Sequence, residues 1–516
     1  MINDVVIVGR DAPLWLSATV LQYALGPAGV KVTAVELPPH AQPADVCVTL
    51  PAIEPLHTRL RIDEGRLIAA TRGAFTLGRH FVDTSGRTPP FFHAHGSNGS
   101  RIDEKEFLPH WVRARQQGLD APFDEFSLTV AAARAGRMLL PDAAIDRFGF
   151  TDYAYHLPAI PYAAWLRQIA LRRGVRHHWT GHLDVRLEDH GGIAELLLEG
   201  DRRITGDLFI DATGADALLM SALGVGRESW RDAFAVDRVM CAHAAPVSPV
   251  PIYSEIRAHA RGWLAMVASQ VCIHVQHAYC SDLAPGPAEL AGAAGVPLQG
   301  VVVRERHPGR RLRAWEKNCV AIGDAACVFD PVHFVDLHAV QAGLVHLLPL
   351  FPVQRDFSVE RDEYNQNVRS AFERLRDFQS AHYLLNRYSD SPFWMRGRAA
   401  APSAALAHKI DAFRARGETV DYEDEAFTID EWQSLFIGHG VVPESCDPAV
   451  DRTTPDMLED EFARIRGFIR QKVGEQRTHA DYLREVSAIS GAISGAIGGA
   501  IGGAISGAAS GRISGA

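Results

Sequence analysis

The chain has 516 residues, of which 47% are hydrophobic. That is enough for a large core and, by length, two to four domains. A formal net charge of −10 argues against the basic face of a nucleic-acid binder. Seven cysteines with no CxxC pair exclude a disulfide framework and a zinc ribbon, and suit a reducing compartment. Met1 leads into the first strand with no basic and apolar leader, so the cytoplasm is the expected location. No 18-residue apolar run is present in the body, so no membrane span is expected.

Residues 5–15 read VVIVGRDAPLW, which predicts a strand over Val5–Val8 and a helix over roughly Leu14–Leu25. A dinucleotide-binding fold places G-x-G-x-x-G at this turn. Only Gly9 remains; Asp11 holds the second glycine position and Leu14 the third. The second glycine normally lets the backbone approach a pyrophosphate, so Asp11 brings a side chain and a negative charge to that place. Asp11 followed by Pro13 also predicts a helix start with Asp11 as N-cap, its carboxylate at the positive helix end where a pyrophosphate belongs.

The second strand, KVTAVE, ends in Glu36. This acid has two readings: partner of adenosine ribose hydroxyls, or plain strand-end acid. It lies somewhat farther from Gly9 than the ~20 residues the fingerprint expects. A helix near Tyr162–Arg173 leads to LFIDATG, a strand over Leu208–Ile210 that breaks at Gly214. A later buried strand in CVAIGDAACVFDP gives way to Gly323 and Asp324. In flavin hydroxylase-type folds such a Gly-Asp meets the ribityl chain and pyrophosphate; an ordinary turn is the alternative. Together the three strand ends predict an α/β fold with an FAD-binding, Rossmann-like domain.

From about Phe351 the pattern is mainly helical, with long amphipathic stretches over Val359–Asn386 and Pro455–Glu485. From Ala488 the chain consists of Gly-ending tetrads (AISG, AIGG, AASG, RISG). They read either as a flexible low-complexity tail or as a small-xxx-small face that docks on another helix.

Five stretches in order resemble one family, the flavin-dependent tryptophan halogenases. They are GAFTLGRHFVD (73–83), HWVRARQQG (110–118), LFIDATG (208–214), GRRLRAWEKNCVAIGDAACVFDPV (309–332) and RDFQSAHYLLNRYSDSPFW (376–394). The last is the most specific, and the likeness runs through most of residues 1–485. The resemblance implies an FAD-binding domain interleaved with a mainly helical substrate domain. In active members a peroxyflavin oxidises chloride. The hypohalous acid crosses a tunnel to a lysine beside the aromatic substrate, and a glutamate assists.

This chain departs from the family at those points. Thr76 stands at the lysine position and His333 at the glutamate position. Phe334, Val335 and Asp336 replace a small Ser-Thr-Gly run. In the tunnel stretch Trp263 is kept, while Ala265 and Ala268 replace a second Trp and a Pro. Of a Gly-Glu-x-Thr-x-Pro stretch only Thr49 and Pro51 remain. Threonine has no amine to hold an electrophilic halogen. His333 is either a new general base or a satisfied structural residue. The surviving motifs read mainly as packing.

The expected organisation is therefore an FAD-type α/β unit over 1–350, with substrate-facing insertions near 85–145 and 235–300. A helical substrate unit follows over 351–486, and the tail over 487–516. Gly9, Glu36, Gly323 and Asp324 are the candidate cofactor residues, with FAD the expected cofactor if one is held. The function expected is a halogenase-like protein that does not halogenate and acts as a binding or partner subunit. An FAD-dependent monooxygenase or halogenase of an indole-like substrate is the alternative. Expected partners are an active halogenase paralogue or flavin reductase, an aromatic small molecule, and a second subunit in a homo- or heterodimer.

Overall fold

The computed structural model describes residues 2–142, 149–284, 286–352, 354, 356–450 and 452–488. The tetrad tail from residue 489 onward, with both of its readings, lies outside them.

The apolar run DVVIVG forms strand β1 (Asp4–Gly9), buried along nearly its whole length. A strand covered on both faces reads as a continuous apolar run, as a parallel sheet requires. Helix α1 (Asp11–Leu25) follows, then β2 (Lys31–Glu36) pairs parallel to β1, from Asp4 against Lys31 to Gly9 against Glu36. Helix α2 (Ala159–Arg172), which packs on α1, leads to β3 (Arg176–Trp179), parallel to β2. Beyond β1 lie β4 (Leu208–Ala212), β5 (Trp315–Glu316) and β6 (Cys319–Ala321). The sheet order is β5-β6-β4-β1-β2-β3, with only the β5–β6 pair antiparallel. Chain order reverses at β1, and a ligand crevice belongs outside the carboxyl ends of such a sheet.

Gly9 is fixed by this packing. A Cβ there would sit 2.5 Å from the backbone oxygen of Ala212 on β4. The glycine therefore serves strand-to-strand approach as well as any ligand.

A second, seven-stranded sheet stands beside the first. Its order is Gln299–Glu305, Arg238–Ala244, Ile273–Tyr279, Gly262–Ala268, Ser254–His259, Gly78–Asp83 and Phe91–Ala94. The stretch expected near 235–300 as an insertion is thus most of a sheet, completed by two strands from 78–94. All its neighbours are antiparallel except Ser254–His259 with Gly78–Asp83. A three-stranded sheet (Val46–Val48, Ala154–Pro158, Ala74–Thr76) completes the strands near the site.

The described elements beyond 351 are helical. With α3 (Asp336–Leu347), which precedes them, the principal ones are α4 (Ser358–Leu384), α5 (Ile429–Gly438) and α6 (Pro455–Glu475). Helix α6 starts on a Thr454 cap, whose side chain accepts from the Met457 amide, with Pro455 in its first turn. It does not run to Glu485 as the amphipathic pattern predicts. It stops at Glu475, and helix resumes over 479–488. Between them the backbone pairs with residues 136–138: Met138 N donates to Arg477 O at 3.0 Å and His479 N to Gly136 O at 2.9 Å. These partners are distant in sequence, so helical periodicity alone does not reveal the break. No described helix is long and apolar enough to cross a membrane.

Candidate functional site

A cleft of about 780 Å³ opens at the carboxyl ends of β1 and β4, between the two sheets. Its walls combine the β1–α1 turn, the loop 39–42, Ala212 at the end of β4 and Gly214 just beyond it, Asp324, and the first turns of α3. This is the crevice the strand order calls for.

At the turn the expected cap is not formed. Arg10 holds the N-cap position with extended backbone (φ −150°, ψ 162°), and Asp11 is the first helical residue, at φ 55°. The Asp11 carboxylate turns outward and accepts from the backbone amides of His40 at 2.9 Å and Ala41 at 3.1 Å. The reason is a competing set of donors: two loop amides take the place of amides in the helix. The negative charge stays in the cleft wall. Leu14, at the third glycine position, is fully buried in the core.

The other cofactor candidates divide. Glu36 lies 2.8 Å from His177 Nε2 and 3.4 Å from Arg167 Nε, and it is not part of the cleft wall. Gly323 has φ 63°, and a Cβ there would meet Val340 of α3 at 2.8 Å. Asp324 lines the cleft. Burial pushes its carboxyl up to about 6 against the pull of Arg306, and its Oδ1 has no partner.

Four arginines line the cleft, and each is already engaged. Arg10 contacts His40 and lies 3.7 Å from Asp216. Arg304 grips Asp45 with two bonds of 2.9 and 2.8 Å. Arg306 bonds Asp324 at 3.1 Å, Asp336, and the Phe329 carbonyl at 2.8 Å. Arg227 donates to the carbonyls of His307 and Gly309. A dinucleotide's diphosphate needs free amides and uncommitted cations. Pro13 removes one amide of the first turn, and Asp11 adds a like charge. The lining does not fit a diphosphate.

The two positions that carry halogen chemistry in the resemblance are not part of the cleft lining. Thr76 is 1% exposed, and its hydroxyl is engaged within its own turn, donating to Gly78 O at 3.0 Å and accepting from Gly78 N at 3.3 Å. His333 is fully buried, with its Nε2 2.7 Å from His382 Nε2. His382 Nδ1 lies 2.9 Å from His439 Nε2. Three imidazoles thus form a hydrogen-bonded chain. The Arg79 guanidinium, 1% exposed, donates to the His333 carbonyl at 2.9 Å. Cross-strand from Arg79 stands His93, whose ring meets that of His333 edge-on at 5.2 Å.

Glu431 closes this cluster. It lies in the first turn of α5, where it and Thr428 form a capping box. Its Oε1 is 3.4 Å from His95 Nδ1 and 3.6 Å from His93 Nε2. Burial favours the neutral acid, but the His95 bond and the Thr428 amide hold Glu431 down at about 2. Burial lowers His93 and His439 to about 3 and His333 and His382 well below their ordinary value. Burial also lowers Arg79, to about 10, so it remains a cation at neutral pH. Phe81 stacks on His382 at 4.7 Å, and Phe378 stacks on Phe427 at 3.7 Å against His333.

Sequence reasoning found His333 and missed Arg79, His93, His95, His382, His439 and Glu431. The available signals are the H-x-H of FFHAH and the histidine in the AHY motif, a motif that in sequence reads mainly as packing.

A parallel sheet with a cleft at its carboxyl ends, an antiparallel partner sheet and a helical layer define the flavoprotein architecture of the halogenase class. The tryptophan halogenase family profile matches residues 4–455, and the chain belongs to that family. It is 27% identical to the tryptophan 7-halogenase KtzQ of Kutzneria sp. (strain 744), over 94% of this chain and 98% of that protein. BrvH, a flavin-dependent halogenase from Brevundimonas sp. BAL3, superposes with a TM-score of 0.89 at 30% identity, covering 94% of this chain and 99% of its own. Xcc4156, a flavin-dependent halogenase from Xanthomonas campestris, gives 0.88 at 28% identity, covering 94% and 98%.

Proposed function

We propose that this member of the family does not halogenate and acts as a binding or partner subunit. The observation that carries the reading is the state of the two reaction positions. The Thr76 hydroxyl is held by its own turn, and it offers no amine to accept an electrophilic halogen. His333 is a neutral imidazole bonded into a chain of imidazoles and supplies no carboxylate at this position, while the carboxylate of the cluster, Glu431, is tied to His93, His95 and the Thr428 amide. The unfavourable lining for a diphosphate adds to this.

The test supplies full-length protein with a flavin reductase, NADH, FAD, O2, chloride and tryptophan or indole. No chlorinated product above the no-protein control is expected. Chlorination that scales with protein concentration would sink the proposal. For the partner role, the chain is titrated into an active halogenase paralogue, and a change in kcat/KM or in flavin uptake is expected.

A second reading, an FAD-dependent monooxygenase of an aromatic substrate, draws its support from the persistence of a cleft of about 780 Å³. It predicts an oxygenated indole in the same assay.

A further inference from the structure

The cleft keeps its size while its charge pattern has changed, and those two facts together restrict what it takes. One wall is apolar, built from Val48, Val239, Val267, Phe334, Leu337 and Val340. Such a wall suits a planar ring system, since ligand sites of 300–1,000 Å³ are typically apolar with a few placed polar groups. The polar wall is acidic on balance. Arg10, Arg227, Arg304 and Arg306 face Asp11, Asp45, Asp216, Asp324, Asp336 and Glu305, and every arginine is engaged by a carboxylate, an imidazole or a carbonyl. Carboxylates accept from hydroxyls and repel phosphate. Volume does not discriminate between a dinucleotide and its smaller parts; charge does.

We propose that the cleft binds an uncharged planar aromatic ligand bearing hydroxyls, an aromatic polyol of the riboflavin class, in preference to a dinucleotide. Ring stacking on the apolar wall supplies the affinity, and the acids receive the ligand's hydroxyls. The Asp11 carboxylate, held by the His40 and Ala41 amides, excludes the diphosphate. The proposal rests on the reading above that diphosphate binding is disfavoured, and it names what the cleft holds instead.

The experiment titrates the full chain with riboflavin, FMN and FAD and follows flavin fluorescence, with calorimetry as a second readout. The expected order of affinity is riboflavin, then FMN, then FAD, with at least tenfold between the first and last. FAD binding within tenfold of riboflavin, or tighter, overturns both this inference and the argument on the diphosphate. Binding of none of the three below about 1 mM overturns this inference and leaves the non-halogenating reading standing. Asp11→Gly locates the site. Glycine suits the φ of 55° at that position, so the variant is expected to fold, and its FAD-to-riboflavin gap is expected to narrow at least threefold. An unchanged gap in a folded variant overturns the assignment to this cleft.

Discussion

Glu431 shows how a single buried side chain ties local structure to the site. The same carboxylate completes the capping box of α5 and faces His93 and His95. It is also the opposite charge acting on buried Arg79. Glu431→Gln keeps the shape and can keep the bond to Thr428, but it leaves a buried guanidinium without its counter-charge. Loss of one member of a buried charge set costs about 3 kcal/mol, so a lower urea midpoint with an unchanged slope is expected. A loss under about 1 kcal/mol would mean that the cluster does not depend on this charge. Thr76 makes the complementary case. Thr76→Lys places an ammonium at a position 1% exposed, close in sequence to Arg79. Thr76→Lys with His333→Glu is therefore expected to lower the melting temperature and to yield no chlorinated tryptophan. Recovery of chlorination in this pair would show that the two positions alone block the chemistry.

The β1–α1 turn shows how neighbouring elements fix a strand end. Gly9 lies against the β4 backbone, and Gly9→Ala would drive a methyl to within 2.5 Å of the Ala212 oxygen. Overpacking of this kind costs about 1–3 kcal/mol, which thermal unfolding would read as a lowered midpoint. A neutral substitution would mean that β1 and β4 separate easily. The strand itself was legible in the sequence, because a fully covered parallel strand is an unbroken apolar run ended by glycine. β4 was legible in the same way from its buried LFI run, and β2 from its alternating KVTAVE pattern, which ends in Glu36 and is only partly covered. What surrounds the turn was not legible. Asp11 finds its amides at residues 40 and 41, and helical propensity favours the N-cap that it does not form. The end of α6 fails to follow its periodicity for the same reason: residues 136–138 supply backbone partners that override local preference. The buried cluster draws on five histidines, 93, 95, 333, 382 and 439, and on Glu431, and beyond the H-x-H of FFHAH and the histidine of AHY no local pattern announces such a meeting. The late Gly-Asp was singled out by its likeness to flavin hydroxylase-type folds, with an ordinary turn as the alternative, and Asp324 lies in the cleft wall.

At the scale of the whole molecule, the interior holds an unusual number of neutral imidazoles, and this makes stability depend on pH. Burial lowers His93, His156, His277 and His439 to about 3 and His57, His338 and His479 to about 4. Unfolding returns each to an ordinary value near 6.5. The folded pKa is therefore depressed, and below 6.5 the unfolded chain binds protons that the folded chain refuses. Stability is complete above about pH 6.5 and falls as pH drops toward the folded values. Each such histidine costs about 1.4 kcal/mol per pH unit in that window. Against a typical total of about 5–15 kcal/mol, a few of them suffice to unfold the protein. Acidic groups act in the same window. Asp324 and Asp330, pushed up to about 6 by burial, bind protons more readily folded than unfolded and offset part of the loss, but the histidines outnumber them. A steep fall in melting temperature is expected between pH 6.5 and 5, with little change between 7 and 8. His93→Gln is expected to make the slope shallower, because it removes one proton from the difference between the two states. A melting temperature that stays flat from pH 7.5 to 5 in the wild-type chain would mean that the buried imidazoles take up protons while the protein is folded, and would overturn the account of the cluster as neutral.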